Sequence, residues 1–95
     1  MITVTTKLRA AEGRADELAE RLAALCGESL LASPGCRRAE VSRSVHDERR
    51  FLLLTRFDDD AAHAAHANSE SHAEALPGLM DCLEGLPEIE IYEDP

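Results

Sequence analysis

The chain has 95 residues, enough for one small domain and no more. Ten basic side chains stand against 19 acidic ones, a net charge of −9, which argues against a nucleic-acid partner and disfavours docking on an anionic membrane. The 44% hydrophobic fraction includes 15 alanines and three cysteines, so 24 large apolar side chains remain for a core. A chain this short buries only part of its unfolded surface, and a second copy is expected to complete the burial.

Ile2, Val4, Thr6 and Leu8 alternate with Thr3, Thr5, Lys7 and Arg9, the pattern of a half-buried strand. Ala11-Glu12-Gly13 reads as a turn. Leu18, Leu22, Leu25, Cys26, Ser29 and Leu30 fall on one face at helical spacing and predict an amphipathic helix over residues 14–31. Ala32-Ser33-Pro34-Gly35 ends it, because proline cannot continue a helix and glycine permits the turn. Residues 36–45 alternate again, with Ala39, Val41 and Val45 on one side. His46-Asp47-Glu48-Arg49 suits a hairpin turn, and Phe51–Phe57 reads as a strand covered on both faces. Asp58-Asp59-Asp60 offers a cap and first-turn acids to a helix over Ala61–Ala67. Ser69 or Ser71 caps a further helical stretch to about Leu86, with a kink or restart expected at Pro77. Glu88–Tyr92 alternates as a last strand.

The order strand, helix, strand, strand, helix, strand is that of a ferredoxin-like α+β sandwich, with one antiparallel four-stranded sheet and helices on one face. The single domain is expected to span residues 1–95. Its uncovered sheet face carries apolar residues and predicts a homodimer through the sheets. Charge divides along the chain. Residues 1–57 hold all ten bases and eight acids, whereas residues 58–95 hold 11 acids and no lysine or arginine, so the two parts are expected to attract each other. The opening Met1–Thr6 has neither the basic start nor the apolar run of a signal peptide. Cys26, Cys36 and Cys82 are odd in number and widely spaced, which fits reduced thiols and a cytoplasmic setting.

Taken in order, these segments resemble the antibiotic biosynthesis monooxygenase family of dimeric α+β barrels. The resemblance is carried by the Ser33-Pro34-Gly35-Cys36 turn after the long helix and by the strand ending Thr55-Arg56-Phe57-Asp58. It continues with the Ala62–His66 segment, a second histidine at His72, and the closing run Pro87–Glu93. It implies an oxygenase that uses no cofactor and acts on quinols or polycyclic phenols. Phe57 stands where the family usually has tryptophan, and the first strand lacks the asparagine of the haem-degrading branch.

His63, His66 and His72 lie within ten residues, and histidine takes and returns a proton near neutrality. Removing a phenolic proton makes an electron-rich anion able to pass an electron to O2, and an apolar pocket holds the resulting radical pair away from water. His66 matches the family position and is the candidate catalytic base, with His72 as second base or substrate anchor. His63, Arg56, Phe57, Asn68 and Tyr92 are the candidate substrate-binding residues. Arg56 serves either to stabilise an anionic intermediate or to pair with a C-terminal acid. The aromatic rings would stack on a flat substrate, and Asn68 would donate to a carbonyl or stop a helix. A His-x-x-His pair with His72 or Glu70 also resembles a zinc set, but no HExxH is present and no metal is expected. No flavin, nicotinamide or phosphate-loop motif occurs. The leading expectation is a cofactor-independent monooxygenase of phenolic substrates. The alternatives are a non-catalytic dimer that binds a small aromatic or quinone, and an isomerase or cyclase on the same fold.

Overall fold

A computed structural model describes all 95 residues. Four strands, β1 (Ile2–Arg9), β2 (Cys36–Arg43), β3 (Arg50–Phe57) and β4 (Glu88–Glu93), form one sheet in the order β2-β3-β1-β4. Every neighbouring pair is antiparallel. Three helices, α1 (Ala15–Ala24), α2 (Asp60–Ala67) and α3 (Glu70–Asp81), connect them, and a π-helical extension (Leu25–Leu30) continues α1. This is the ferredoxin-like α+β sandwich read from the sequence. No helix is long and apolar enough to cross a membrane.

The register shows which way each strand faces. Ile2 pairs with Phe57, Val4 with Thr55, Thr6 with Leu53 and Leu8 with Phe51. Because side chains alternate, these residues share the helix-covered face with Cys36, Ala39 and Val41. On that face Leu8, Phe51, Leu53 and Phe57 pack with Leu18, Leu22, Leu25, Cys26 and Leu30 of α1 and its extension, and with Leu79 and Cys82 at the end of α3. The opposite face carries Thr3, Thr5, Lys7, Leu52, Leu54, Arg56 and Tyr92 and has no covering layer within the chain. Within the chain the strand Phe51–Phe57 is therefore covered on one face, and Leu52 on the other is 36% exposed.

Three local expectations are corrected. The helix over residues 14–31 is not uniform: its second half, which contains Gly27, widens into π geometry with Leu31 N–H bonded to the Cys26 carbonyl at 2.9 Å. The second strand stops at Arg43 rather than 45, because Ser44 turns its hydroxyl to the His46 and Asp47 N–H groups. The stretch after Ser69 runs unbroken through Pro77 and ends at Asp81 instead of restarting and reaching Leu86. Tertiary contacts outweigh the proline there. Leu79 and Cys82 are buried, Arg14 holds the Asp81 carbonyl at 2.8 Å, and Ala10 bridges to Leu83.

The charge asymmetry resolves within the chain. Arg9 and Arg49 both reach Glu84, Arg14 reaches Asp81, Arg37 reaches Asp58 and Arg56 reaches Asp94, each pairing a base of the first part with an acid of the second. These pairs are exposed or half-exposed and each adds little stability, but together they fix how the C-terminal elements close over the sheet ends.

Candidate functional site

The site is assembled where the Ser33–Cys36 turn meets α2. Gly35 adopts φ +83°, a conformation that glycine adopts without cost. A Cβ there would lie 2.7 Å from the Ala62 Cβ, so the absence of a side chain lets α2 seat directly on the turn. Asp58 N–H donates to the Gly35 carbonyl at 2.9 Å, and its carboxylate accepts from Nε and Nη2 of Arg37 at 2.7 and 2.8 Å. That pairing holds the Asp58 carboxyl below the usual carboxylate range. Asp59 then caps α2 by accepting the Ala62 N–H at 2.8 Å. Ser69 caps α3 in the same way through the His72 N–H at 3.2 Å and ties back to the His66 carbonyl at 2.7 Å. The two short helices are thus fixed end to end, each by its own sequence signal.

That frame brings the three clustered histidines together. His66 is 5% exposed, the most buried titratable side chain on α2 or α3. Its Nδ1 lies 2.8 Å from the Ser33 hydroxyl, and its Nε2 has no hydrogen-bond partner within the protein. Burial holds its pKa below the ordinary histidine value, and the neighbouring His72 and His63 push the same way. The His72 ring stands edge-on to His66 with centroids 5.1 Å apart, and its Nδ1 is buried without a partner. Phe57, buried to 1% exposure, lies 5.3 Å from the His63 ring and 6.1 Å from the His66 ring. Its ring is used to wall the histidines. No group of three or more His, Cys, Asp or Glu side chains is placed to hold a metal ion.

Three candidate residues lie apart from this cluster. Arg56 belongs to the opposite sheet face, where it donates to Thr3 at 2.6 Å and pairs with Asp94 at 3.1 Å, the second of its two expected roles. Tyr92 pairs in register with Thr3 on that same face, is 51% exposed, and its hydroxyl donates to Glu90. Asn68 is the C-cap of α2, exposed, with its side-chain amide on the Ala64 carbonyl at 2.9 Å. It stops the helix. In each case strand alternation or helix termination sends the side chain away from His66.

Of the two main clefts, neither has a histidine on its wall. One, of about 680 Å³, lies at an end of the sheet between Lys7, Arg43, Arg50, Leu52, Leu86 and Glu88. The other, of about 390 Å³, runs between the α1 extension and α3 and is walled by Leu25, Ser29, Ser71, Ala75 and Leu79. It borders the cluster through a Ser29–Ser71 hydrogen bond of 2.8 Å. Ser33 and Ser29 are functional candidates that the sequence reading missed. The sequence marks Ser33 only as part of a turn, and nothing local says that its hydroxyl meets a histidine 33 positions later.

Comparison with known proteins agrees with this architecture. A conserved protein from Methanosarcina mazei Go1 superposes with a TM-score of 0.91 at 24% identity, over 99% of this chain and 92% of that one. PA3566 from Pseudomonas aeruginosa gives 0.87 at 28% identity, over 99% and 93%. An antibiotic biosynthesis monooxygenase gives 0.90 at 16% identity, over 100% and 99%. No curated protein matches the chain. Residues 1–77 match the sequence profile of the antibiotic biosynthesis monooxygenases. With four-fifths of its length matched, the chain belongs to the antibiotic biosynthesis monooxygenase family.

Proposed function

We propose that this protein is a cofactor-independent monooxygenase that oxidises quinol-like or polyketide-derived phenols with O2, using His66 as its base. One observation carries the reading: His66 is buried, one ring nitrogen is anchored on Ser33, and the other is unpartnered. Burial keeps the ring uncharged near neutral pH, so it is ready to accept a proton. In the proposed reaction the free nitrogen of His66 takes the phenolic proton. The phenolate passes one electron to O2, and the radical and superoxide join at a ring carbon that bears hydrogen. The proton returns from His66 to give a hydroperoxide, which loses water to leave a quinone carbonyl. One oxygen atom ends in the product and the other in water. His72, with a buried nitrogen left unpartnered, is proposed to anchor the substrate, and His63 to form the wall against which it lies, backed by Phe57. A second copy of the chain seated over the outer sheet face completes this picture, covering Leu52 and Leu54.

A binding-only reading is favoured by a different observation, that neither of the two clefts has a histidine on its wall. An isomerase or cyclase would use the same base and need no oxygen. Oxygen uptake by the metal-stripped protein against a panel of quinols and polycyclic phenols separates the three. The expected result is uptake above autoxidation that falls by roughly 10²- to 10⁴-fold in His66→Ala while ligand still raises the Tm. Uptake that survives His66→Ala overturns the role of His66. Binding with no uptake supports the carrier, and conversion of substrate under nitrogen supports the isomerase.

A further inference from the structure

The direction of the Ser33–His66 hydrogen bond follows from what surrounds Ser33. The Ser29 carbonyl, in the π-helical extension, is left without a backbone donor: the Ser33 N–H goes to the Leu30 carbonyl at 3.0 Å, and Pro34 has no N–H to give. The Ser33 hydroxyl fills that vacancy, donating to the Ser29 carbonyl at 2.9 Å. A hydroxyl has one proton, and a carbonyl oxygen only accepts. Toward His66 Nδ1, at 2.8 Å, Ser33 therefore presents a lone pair, and Nδ1 must carry the hydrogen. Ser29 itself is held, 7% exposed, by its hydroxyl contact with Ser71 at 2.8 Å.

We infer that Ser33 is a positioning residue that locks His66 in the Nδ1–H tautomer, leaving Nε2 as the bare nitrogen that faces substrate. The inference rests on the reading of His66 as the base, and it names the atom and the device that directs it. Proline at position 34 belongs to the device, because its missing N–H is what commits the Ser33 proton to Ser29. The uncharged state that burial favours is the state in which the choice of tautomer matters.

Long-range 15N–1H spectra of the histidine rings test this on the purified chain without substrate. The expected result is a His66 ring with protonated Nδ1 and unprotonated Nε2 at pH 7.5. In Ser33→Ala that signature is lost in favour of Nε2–H or an exchanging mixture, and Ser33→Thr restores it. A wild-type ring protonated on Nε2 overturns the inference, and so does an unchanged tautomer in a folded Ser33→Ala. If Ser33→Ala does not fold, the wild-type and Ser33→Thr spectra decide. Because the readout needs no turnover, a failed oxygen-uptake assay would sink the oxygenase reading and leave this result standing.

Discussion

His66 couples the candidate chemistry to stability. Its folded pKa is depressed by burial, so the unfolded chain binds a proton more readily than the folded one as the pH falls through about 6.5. Its contribution to stability is full above that pH and is lost on acidification toward the folded value. The carboxylates held low by arginines act elsewhere on the scale. Glu17, bonded first by Arg14 and then by Arg21, is pulled down to about 2, and Asp47, Asp58 and Glu84 are also lowered. Their contribution disappears only below the ordinary carboxylate range. Thermal unfolding between pH 7.5 and 5.5 should therefore show the Tm falling in the wild type and falling less in His66→Gln. Parallel slopes in the two proteins would mean that another group carries the pH dependence.

At the scale of elements, the site depends on α2 being seated on the turn before β2. Gly35 combines a positive φ with a Cβ position already occupied by Ala62. Gly13 has a similar φ of +79° with nothing within 4 Å. Gly13→Ala should cost only the backbone strain, about 1 kcal/mol. Gly35→Ala adds a collision between two packed elements and should cost about 3 kcal/mol, a Tm drop of roughly 12 °C or more. Differential scanning calorimetry of the two variants measures the difference, and equal losses would show that α2 moves away without penalty. The capping segments of α2 and α3 were legible as Asp58–Asp60 and as Ser69 or Ser71, because a cap acts on an N–H group only three residues away; the structure selects Asp59 and Ser69. The unbroken α3 was not, since local propensity places a break at Pro77 and only the packing of Leu79 and Cys82 overrides it.

For the whole molecule the main fact is how little of it is buried: 17 of 95 residues, with Leu52, Leu86, Ile89, Ile91 and Tyr92 among the large apolar side chains left exposed. Leu52, Leu54 and Tyr92 share the outer sheet face, whereas Ile89 and Ile91 lie at the β4 edge of the opposite one. We propose that a second copy covers this face. Sedimentation velocity should therefore report twice the 10.4 kDa chain mass. Leu54→Glu, which places a charge in the middle of that face, should shift the species to monomer and lower the Tm. A wild type that sediments as a monomer at micromolar concentration would remove the dimer from the account.

The sequence by itself determined the order of elements, the inward residues of β1 and α1, the acidic run that caps α2 and the cluster of candidate histidines, and it narrowed the cap of α3 to Ser69 or Ser71. These are local signals: periodicity, capping and turn chemistry act over a few residues and survive in any context. The tertiary structure alone decided that Arg56 and Tyr92 face away from His66, that Phe57 packs at a tilt beside two histidines, and that Ser33 reaches His66. Those facts depend on register and on the closure of α2 over the turn. A shift of one residue in a strand reverses every side chain, so they are properties of the assembled sheet and not of any segment within it.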